Sequence, residues 1–284
     1  MKKDGRPSLA LVIGSGGIKC AAAIGVLQVL ETENIAIDMV VGCSGGAVYG
    51  AAIAQGFSAD QLVETSAKAW TSDITRRINF SSLLKIIFPK RFGFDDEIGI
   101  IDDRIMAENI ETIFGAKTTF ADTRVPFYCV ATDFHTGEPV VISKGKLAKA
   151  IRISSGIPIV FKPLEWEGKL LIDGALSNPL PVDVAIKAGA DLIIALGFEP
   201  PLEHSVNSPV NFASQMFSIL ENQLLAKKFA FYNLAYHSEI IAIVPEFKEK
   251  IRCNDVSKVP FIVDQGRREA EKHIHYLKQA LAMK

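Results

Sequence analysis

The feature that most constrains this fold is a serine among glycines, Gly42-Cys43-Ser44-Gly45-Gly46, which matches the pattern G-x-S-x-G. The apolar run before it, residues 37–41, predicts a buried strand, and the small residues after it, 47–55, predict a helix. In the order strand, sharp turn and helix, this pattern forms an elbow that holds the serine hydroxyl above the end of a sheet. The alternative is a glycine-rich turn in which the Ser44 side chain only caps the helix.

The elbow gives Ser44 the surroundings that a nucleophile needs. Gly42 and Gly46 allow the chain to reverse tightly and leave space around the hydroxyl. The N-terminus of the following helix directs free N–H groups and the positive end of the helix dipole towards the same spot. The pattern therefore predicts a serine placed to attack a carbonyl carbon.

A second glycine-rich turn lies near the N-terminus, at Gly14-Ser15-Gly16-Gly17-Ile18-Lys19. It follows the apolar run 9–13 and precedes the helical run 21–31, so the order is again strand, turn and helix. Successive backbone N–H groups in such a turn bind anions. The dinucleotide pattern would need a glycine where Lys19 stands, and the Walker A pattern is absent. An oxyanion hole is the favoured interpretation, because the chain also supplies a nucleophile.

A late apolar run, 170–172, ends in Asp173 and Gly174. An acid at the end of a strand in a parallel sheet points into the crevice where α/β proteins bind ligands. An aspartate in this place also commonly caps the turn through its own side chain. The run alone leaves both roles open for Asp173.

These three segments, in this order, resemble the patatin-like phospholipase family. That family combines a glycine-rich oxyanion turn near the N-terminus, a G-x-S-x-G elbow, and an Asp-Gly-Ala or Asp-Gly-Gly triplet. The stretches 130–139 and 150–158 also match, so the resemblance covers nearly the whole chain from about Leu9 onwards. Residues 15–20 read Ser-Gly-Gly-Ile-Lys-Cys where the family usually has Gly-Gly-Gly-x-Arg-Gly. The backbone N–H donors survive these changes.

The resemblance implies hydrolysis of acyl esters of phospholipids or related lipids through an acyl-enzyme intermediate, with no metal or other cofactor. It also implies that Ser44 is the nucleophile and that Asp173 is its catalytic partner. The residues implied to supply oxyanion N–H groups are Gly16, Gly17 and Ile18, and the glycines of the elbow and the triplet are Gly42, Gly46 and Gly174.

The histidine content agrees with a catalytic dyad of Ser44 and Asp173. Most serine hydrolases activate the serine through a histidine. Asp173 must otherwise take the proton directly, which requires burial to raise its pKa towards neutrality. Because alkoxide leaving groups need less proton donation than amines, such a dyad favours esters over amides. The five histidines lie outside any motif that predicts a triad: His135, His204, His237, His273 and His275.

Apolar runs alternate with helical stretches, and apolar residues make up 49% of the chain, which is ample for a core. Further strands are predicted at 125–132, 190–198 and 239–245. The alternation predicts an α/β fold of three layers, α/β/α, around a mostly parallel central sheet. No linker or repeat divides the sequence, so residues 1–284 are expected to form one domain. The net charge of −1 argues against a nucleic-acid partner.

Residues 71–115 are expected to form a lid-like insertion. Phe80, Phe88, Phe92 and Phe94 are interleaved there with basic residues, chiefly between Arg76 and Phe94. A basic, aromatic and amphipathic segment can rest on an anionic membrane surface, or it can pack on the core as a lid over Ser44. The two arrangements are compatible with each other.

The sequence also bears on location. Glycines 14–17 and Lys19 interrupt the N-terminal apolar run early, so a signal peptide is not expected. No run is long and apolar enough to span a bilayer. A cytoplasmic protein is therefore expected, with peripheral contact to a membrane as a further option. The four cysteines are expected to be reduced and mostly buried: Cys20, Cys43, Cys129 and Cys253.

Three alternatives to a lipid acyl hydrolase with a dyad stay open. The first is an ordinary Ser-His-Asp esterase, with His204 or His237 completing a triad with Ser44 and Asp173. The second is a catalytically dead protein that binds lipids or other partners. The third is a transacylase. The head group, the acyl position and length, and the oligomeric state are not encoded in any motif.

Overall fold

The computed structural model describes residues 6–75, 77–200, 202, 206, 209–235, 239–249, 251 and 255–282. The strands within these ranges are β1 (Leu9–Ile13), β2 (Met39–Cys43), β3 (Phe127–Asp133), β4 (Pro139–Ile142), β5 (Leu164–Trp166), β6 (Lys169–Asp173), β7 (Leu192–Leu196) and β8 (Glu239–Ile243). The α-helices are α1 (Ala22–Thr32), α2 (Gly45–Gln55), α3 (Ala59–Ala69), α4 (Phe80–Ile87), α5 (Pro89–Phe92), α6 (Arg104–Phe114), α7 (Leu147–Ser154), α8 (Val182–Lys187), α9 (Pro209–Ala235) and α10 (Val259–Ala282).

The eight strands of the described residues form one sheet in the order β5-β6-β3-β2-β1-β7-β8, with β4 also paired to β3. Strands β3, β2, β1, β7 and β8 are parallel to their neighbours in this series. The pairings of β4, β5 and β6 are antiparallel. The prediction of an α/β fold around a mostly parallel sheet is therefore confirmed.

Helices cover both faces of the sheet, as the uniformly apolar central strands require. Along β1, Leu9, Leu11 and Ile13 pack into the larger apolar cluster, which includes residues of α1, α2 and α10. Ala10 and Val12 point the other way, into a smaller cluster with residues of α8 and α9. Because successive side chains of a strand alternate between faces, this division places the sheet between two helical layers.

Two strands meet end to end beside β3, and their meeting point positions the candidate site. Strand β2 pairs with the first part of β3, so that Cys43 lies opposite Val130. Strand β6 pairs with the last part, so that Asp173 lies opposite Ala131. Strand β4 pairs with β3 at residues 129–132, which overlap both of these stretches. Strand β4 therefore occupies one edge of β3, and β2 and β6 share the other edge. The carboxyl ends of β2 and β6 approach each other there. The turns that follow β2 and β6 are therefore neighbours.

The direction of β6 differs from what the sequence suggested. Asp173 was expected at the end of a strand in the parallel part of the sheet, but β6 runs antiparallel to β3. The residue still reaches the crevice at the carboxyl ends of the parallel strands, because β6 points towards the end of β2. The apolar run at 170–172 carries no signal that would distinguish the two directions, since strand direction depends on the connection and on the pairing partner.

The two longest helices lie on opposite faces of the sheet. Helix α10 packs closely on α1: a Cβ atom on Gly25 would lie 2.1 Å from Val263 O, and one on Gly266 would lie 2.1 Å from Ala22 O. Helix α9 packs on the other face through Leu225. Although these helices contain 24 and 27 residues, none of the helices that the structure describes is long and apolar enough to cross a bilayer.

Candidate active site

Ser44 lies at the sharp turn between β2 and α2. Its backbone has φ +55° and ψ −123°, a left-handed conformation that residues other than glycine adopt rarely and at a cost of about 1–3 kcal/mol. The Ser44 side chain makes no cap hydrogen bond to α2, although Ser44 is the residue that precedes the helix. The alternative in which Ser44 only caps the helix is therefore wrong.

The Ser44 hydroxyl instead faces Asp173. Ser44 Oγ donates a hydrogen bond to Asp173 Oδ2 at 2.8 Å, and both side chains are buried. The second carboxyl oxygen, Oδ1, accepts from the backbone N–H of Ala175 at 2.9 Å. Asp173 therefore caps its own turn and contacts Ser44 at the same time, so the two roles that the sequence left open coexist.

The backbone of Asp173 is fixed on both sides. Its N–H donates to Gly156 O at 3.0 Å, and its carbonyl oxygen accepts from Thr132 Oγ1 at 2.8 Å. Gly174 follows in close contact with β3: a Cβ atom at this position would lie 2.3 Å from Val130 O. The carboxyl group is thus held towards Ser44 by backbone contacts that do not involve its own side chain.

Burial raises the pKa of the Asp173 carboxyl to about 7, because the charged form loses its hydration. The hydrogen bonds from Ala175 and Ser44 oppose this effect, as does the positive charge of Arg152, while the carboxyl group of Glu221 adds to it. A carboxyl group with this proton affinity can both accept and return a proton near neutral pH.

Two serines at the end of α7 hold the strained backbone of Ser44. The Ser44 N–H donates to Ser154 Oγ at 2.9 Å, and Ser154 Oγ donates in turn to Val130 O at 2.6 Å. Ser155 Oγ donates to the Ser44 carbonyl oxygen at 3.1 Å. No motif in the sequence assigns a role to either serine. The available signal was their position inside the stretch 150–158 that resembles the family.

The glycine-rich turn packs directly against the elbow. A Cβ atom on Gly45 would lie 2.8 Å from Gly17 N, and one on Gly46 would lie 2.2 Å from Ile13 O. Within the part of the chain that the structure describes, no group accepts a hydrogen bond from the N–H of Gly16, Gly17 or Ile18. These three donors lie beside the elbow that carries Ser44, and they are available to an anion.

The turn itself is anchored at its start by two backbone hydrogen bonds and is continued at its end by a 3₁₀-helix. Gly14 N–H donates to Leu196 O at 2.9 Å, and Ser15 N–H donates to Pro179 O at 2.8 Å. The 3₁₀-helix Gly17–Ala21 then leads into α1. The N–H groups of residues 16–18 between these two parts have no acceptor among the described residues, as is usual for the first N–H groups of a helix.

A cavity of about 540 Å³ opens beside Ser44 and Asp173. Its walls are largely apolar, and its volume lies in the range of sites that bind small organic ligands. Its apolar lining includes Ala69 of α3, Met106 and Ile110 of α6, and Phe217, Leu220 and Leu224 of α9. The cavity therefore offers apolar surface to a ligand beside Ser44 and Asp173.

Residues 77–94, the described part of the segment expected to cover Ser44, do not line this cavity. Among the described residues of 71–115, those that line it are Thr71, Ile74, Met106 and Ile110. Arg76 lies outside the described residues. The start of α4 is bonded to the segment 97–102, with Asn79 N–H donating to Ile100 O and Gly99 N–H donating to Ser82 Oγ.

The described histidines, His135, His273 and His275, also lie outside the cavity wall. His135 is exposed beside Asp96, with 3.6 Å between Nε2 and Oδ2. His204 and His237 lie outside the described residues. Within the described ranges, Asp173 is therefore the titratable group that Ser44 contacts.

The described cysteines are buried in the core: Cys20, Cys43 and Cys129. Burial raises the pKa of Cys43 well above its usual range and that of Cys129 to about 12, so both thiols stay protonated near neutral pH. Cys43 borders Gly174, with 2.9 Å between its Sγ atom and a Cβ atom built at that glycine. Cys253 lies outside the described residues.

Comparison with protein families gives a match to the patatin-like phospholipase model over residues 11–186. An NTE family protein of Mycobacterium tuberculosis is 33% identical over 190 residues, which are 67% of this chain and 49% of that protein. The neuropathy target esterase sws of Drosophila melanogaster is 30% identical over 191 residues, or 66% of this chain and 13% of that protein. The match thus spans half or less of these relatives' lengths.

The fold is also similar to a solved structure. The crystal structure of VipD from Legionella pneumophila superposes with a TM-score of 0.50 at 14% sequence identity, over 94% of this chain and 67% of that one. At this level of identity the similarity concerns the arrangement of strands and helices.

Proposed function

The chain belongs to the patatin-like phospholipase family, and from this membership we propose that it is a serine hydrolase of lipid acyl esters, acting on phospholipids or related lipids. The observation that carries the proposal is the hydrogen bond of 2.8 Å between Ser44 Oγ and Asp173 Oδ2 at the wall of an apolar cavity. Family membership supports a hydrolase, and this geometry supports a dyad of Ser44 and Asp173 as its catalytic unit.

In the first half of the proposed reaction, Ser44 Oγ attacks the carbonyl carbon of the ester, and Asp173 Oδ2 takes the hydroxyl proton. The carbonyl oxygen becomes an oxyanion beside the N–H groups of Gly16, Gly17 and Ile18. When the intermediate collapses, the bond to the alcohol oxygen breaks, and Asp173 returns the proton to that oxygen. The acyl group then remains as an ester of Ser44.

In the second half, water replaces the alcohol. Asp173 takes a proton from the water as its oxygen attacks the acyl carbon, and a second oxyanion forms at the same N–H groups. Collapse breaks the bond to Ser44 Oγ, which recovers its proton from Asp173. The pKa of about 7 suits this exchange, because the carboxyl group must act alternately as base and acid.

The oxyanion donors are expected to contribute as much as the base. Loss of one such donor typically lowers turnover by about 10²–10³-fold. The donors here are backbone groups, so the replacement of the family's outer glycines by Ser15 and Cys20 leaves them in place. Their closeness to Gly45 supports a fixed geometry relative to the elbow.

We further propose peripheral contact with a lipid surface through α4 and α5. Phe80 and Phe94 are 70% and 66% exposed, and the side chains of Phe88 and Phe92 are also exposed. The basic residues Lys90 and Arg91 lie between the last two, and they have no ion-pair partner among the described residues. Apolar rings flanked by unpaired cations suit the boundary of an anionic membrane.

This surface is connected to the cavity wall. Asn79 N–H donates to Ile100 O at 2.8 Å, and Ile100 N–H donates to Ile159 O at 2.8 Å. The neighbouring Ile157 is partly exposed and lines the cavity. The start of α4 is therefore joined through Ile100 and Ile159 to a run of residues that lines the cavity. Under this proposal, the segment 77–94 meets the membrane and α9 forms the wall over the site.

The experiment that tests the proposed function is incubation with a panel of phospholipids, lysophospholipids and short-chain esters, followed by identification of the products. The wild type should release free fatty acid and label with a fluorophosphonate probe, and Ser44→Ala should do neither while keeping its circular dichroism spectrum. Absence of labelling in the wild type would favour a dead lipid-binding protein. Transfer of the acyl group to an added lipid alcohol, with little free acid, would favour a transacylase.

The triad alternative is tested by histidine substitution. Each of His135, His204, His237, His273 and His275 is replaced by Gln in turn, and turnover should stay within about tenfold of wild type, which corresponds to ~1.4 kcal/mol on the barrier. Loss of activity on replacing one histidine, in a variant that remains folded, would favour an ordinary Ser-His-Asp esterase.

A further inference from the structure

Helix α9 brings one acidic side chain to the wall of the cavity. Glu221 is the only acidic residue of α9, and it lines the same cavity as Ser44 and Asp173. Its neighbours on the wall include Leu220 and Leu224. A carboxyl group among apolar side chains is costly to bury unless it has a partner. Its position therefore calls for an explanation.

The partner of Glu221 is the oxyanion turn. Ser15 Oγ donates a hydrogen bond to Glu221 Oε1, and Ser15 is buried and directly precedes Gly16. The Ser15 N–H is bonded to Pro179 O. The turn is thus held from the sheet side by its backbone and from α9 by the Ser15 side chain.

Glu221 also acts on Asp173 through space. Its negative charge raises the pKa of the Asp173 carboxyl, in addition to the larger effect of burial. Burial raises the pKa of Glu221 itself, whereas the hydrogen bond from Ser15 and the charge of Lys19 lower it. The other charged or titratable groups that interact with Asp173 or Glu221 are Arg152 of α7, Cys43 of β2 and Cys129 of β3. Lys228 of α9 interacts with Cys43 and is paired with Asp183.

We propose that Glu221 is a positioning residue of the catalytic site, which fixes the oxyanion turn through Ser15 and places a negative charge near Asp173. The inference rests on the proposed function, since it needs Asp173 to be the base and residues 16–18 to bind the oxyanion. Its two parts are separable. The hydrogen bond acts on the placement of the N–H donors, and the charge acts on the proton affinity of the base.

Two substitutions separate these parts. Glu221→Gln keeps the size of the side chain and an oxygen that can accept from Ser15, but removes the charge. Ser15→Ala removes the hydrogen bond and keeps the charge. Gln223→Ala is the control, because Gln223 lies on the same helix, is exposed and is absent from the cavity lining. Circular dichroism and thermal unfolding verify that each variant is folded.

The measurement is kcat/KM for a soluble short-chain ester between about pH 5 and about pH 9. Deprotonation of the base makes kcat/KM rise with pH, which gives the pH profile a rising limb followed by a plateau. The labelling rate of Ser44 by a fluorophosphonate is followed in parallel. In Glu221→Gln the limb should move to lower pH, because Asp173 loses a neighbouring negative charge. In Ser15→Ala the plateau should fall by roughly tenfold, less than the 10²–10³ typical of losing a whole oxyanion donor, without a shift of the limb to lower pH.

The outcomes separate this inference from the proposed function. The positioning role would be overturned by a rising limb of Glu221→Gln at the wild-type pH, or by a plateau of Ser15→Ala equal to that of Gln223→Ala. In that case, hydrolysis that still depends on Ser44 would leave the proposed function intact. Hydrolysis that persisted in Ser44→Ala would overturn the proposed function itself, and the inference with it.

Discussion

Ser154 Oγ accepts the hydrogen bond of the Ser44 backbone N–H at 2.9 Å. The same hydroxyl donates to Val130 O at 2.6 Å, so one buried side chain joins the end of α7, the elbow and β3. Ser44 has the positive φ of a strained turn, and its N–H has no other acceptor among the described residues. The elbow geometry therefore depends on a residue that lies 110 positions later in the chain.

Replacing Ser154 should impair both stability and turnover. Ser154→Ala leaves the buried Ser44 N–H without a partner, which costs about 1–3 kcal/mol, and it releases the nucleophile from its fixed position. Ser155→Ala is the matched control, because the Ser44 carbonyl oxygen that loses Ser155 keeps its hydrogen bond from Ala47 N–H. Thermal unfolding and kcat on a short-chain ester measure the effects. Equal losses in the two variants would contradict the special role of Ser154.

Asp173→Asn should change how stability depends on pH. The folded pKa is about 7, whereas an unperturbed aspartate has a pKa of about 3.9. Because the folded carboxyl group binds its proton more tightly, the protonated group contributes stability that is fully present below about pH 4 and is lost as the pH rises through about 7. Asp173→Asn removes this loss, so the free energy of unfolding of the variant should rise relative to wild type between pH 4 and 8. The gain should reach roughly 4 kcal/mol, because each unit of difference between the folded and unfolded pKa is worth ~1.4 kcal/mol.

A second aspartate provides a control of opposite sign. Burial raises the pKa of Asp183, but the charge of Lys228 and other contacts outweigh this effect, and the pKa is lowered overall. Its contribution to stability is therefore present at neutral pH and lost as the pH falls. Urea unfolding across this pH range should show that Asp183→Asn loses stability relative to wild type mainly at neutral pH. A variant Asp173→Asn with the same pH profile as Asp183→Asn would contradict the raised pKa.

Filling the cavity should alter the preference for acyl length. Ile110 of α6 lines the cavity and is buried, so Ile110→Trp should reduce the space for a long acyl chain. We expect kcat/KM for long-chain esters to fall by about tenfold or more relative to short-chain esters, since one methylene group in a hydrophobic pocket is worth roughly 1–3 kcal/mol. Thr112→Trp, at an exposed position of the same helix, is the control. An unchanged ratio in Ile110→Trp would place the acyl chain elsewhere.

The α4–α5 surface should govern activity on membranes. The double variant Phe88→Ser/Phe92→Ser should bind anionic vesicles more weakly, because it loses apolar burial worth ~25 cal/mol per Å². The double variant Lys90→Glu/Arg91→Glu should also bind more weakly, because each lost positive charge removes an attraction of about 1 kcal/mol. Hydrolysis of a soluble ester should change much less. Tyr276→Ser, at an exposed aromatic of α10, is the control. Vesicle co-sedimentation at low and high salt measures binding, and wild-type binding by the charge-reversed variant would remove the membrane role.

The fold could be predicted largely from local patterns. The alternation of apolar strands and helices indicated three layers, and the predicted strand at 37–41 is found as β2, two residues later. Such shifts at element ends are expected, since pattern and propensity set boundaries less sharply than hydrogen bonds do. The antiparallel direction of β6 could not be predicted, because its sequence is compatible with either direction and only its pairing with β3 decides.

The candidate site was predictable where its residues lie in short motifs. Ser44 and Asp173 each close a recognisable strand and turn, and their catalytic roles stay a prediction. Ser154 and Glu221 carry no such signal. Ser154 reaches Ser44 because α7 ends beside the elbow, and Glu221 reaches Ser15 because α9 crosses the turn. The segment 77–94 looked like a cover for Ser44 because of its aromatic residues, but composition does not say against which neighbour a segment packs.

Turnover of the Asp173→Asn variant on a soluble short-chain ester decides whether Asp173 is the base for Ser44. Asn has nearly the same shape and can still accept from the Ser44 hydroxyl, but it cannot take the proton. We expect turnover to fall to about 1% of wild type or less, at least ~2.7 kcal/mol on the barrier, and the double variant Ser44→Ala/Asp173→Asn to be little worse than either single variant. Retention of more than about a tenth of wild-type turnover, a change below ~1.4 kcal/mol, would contradict it.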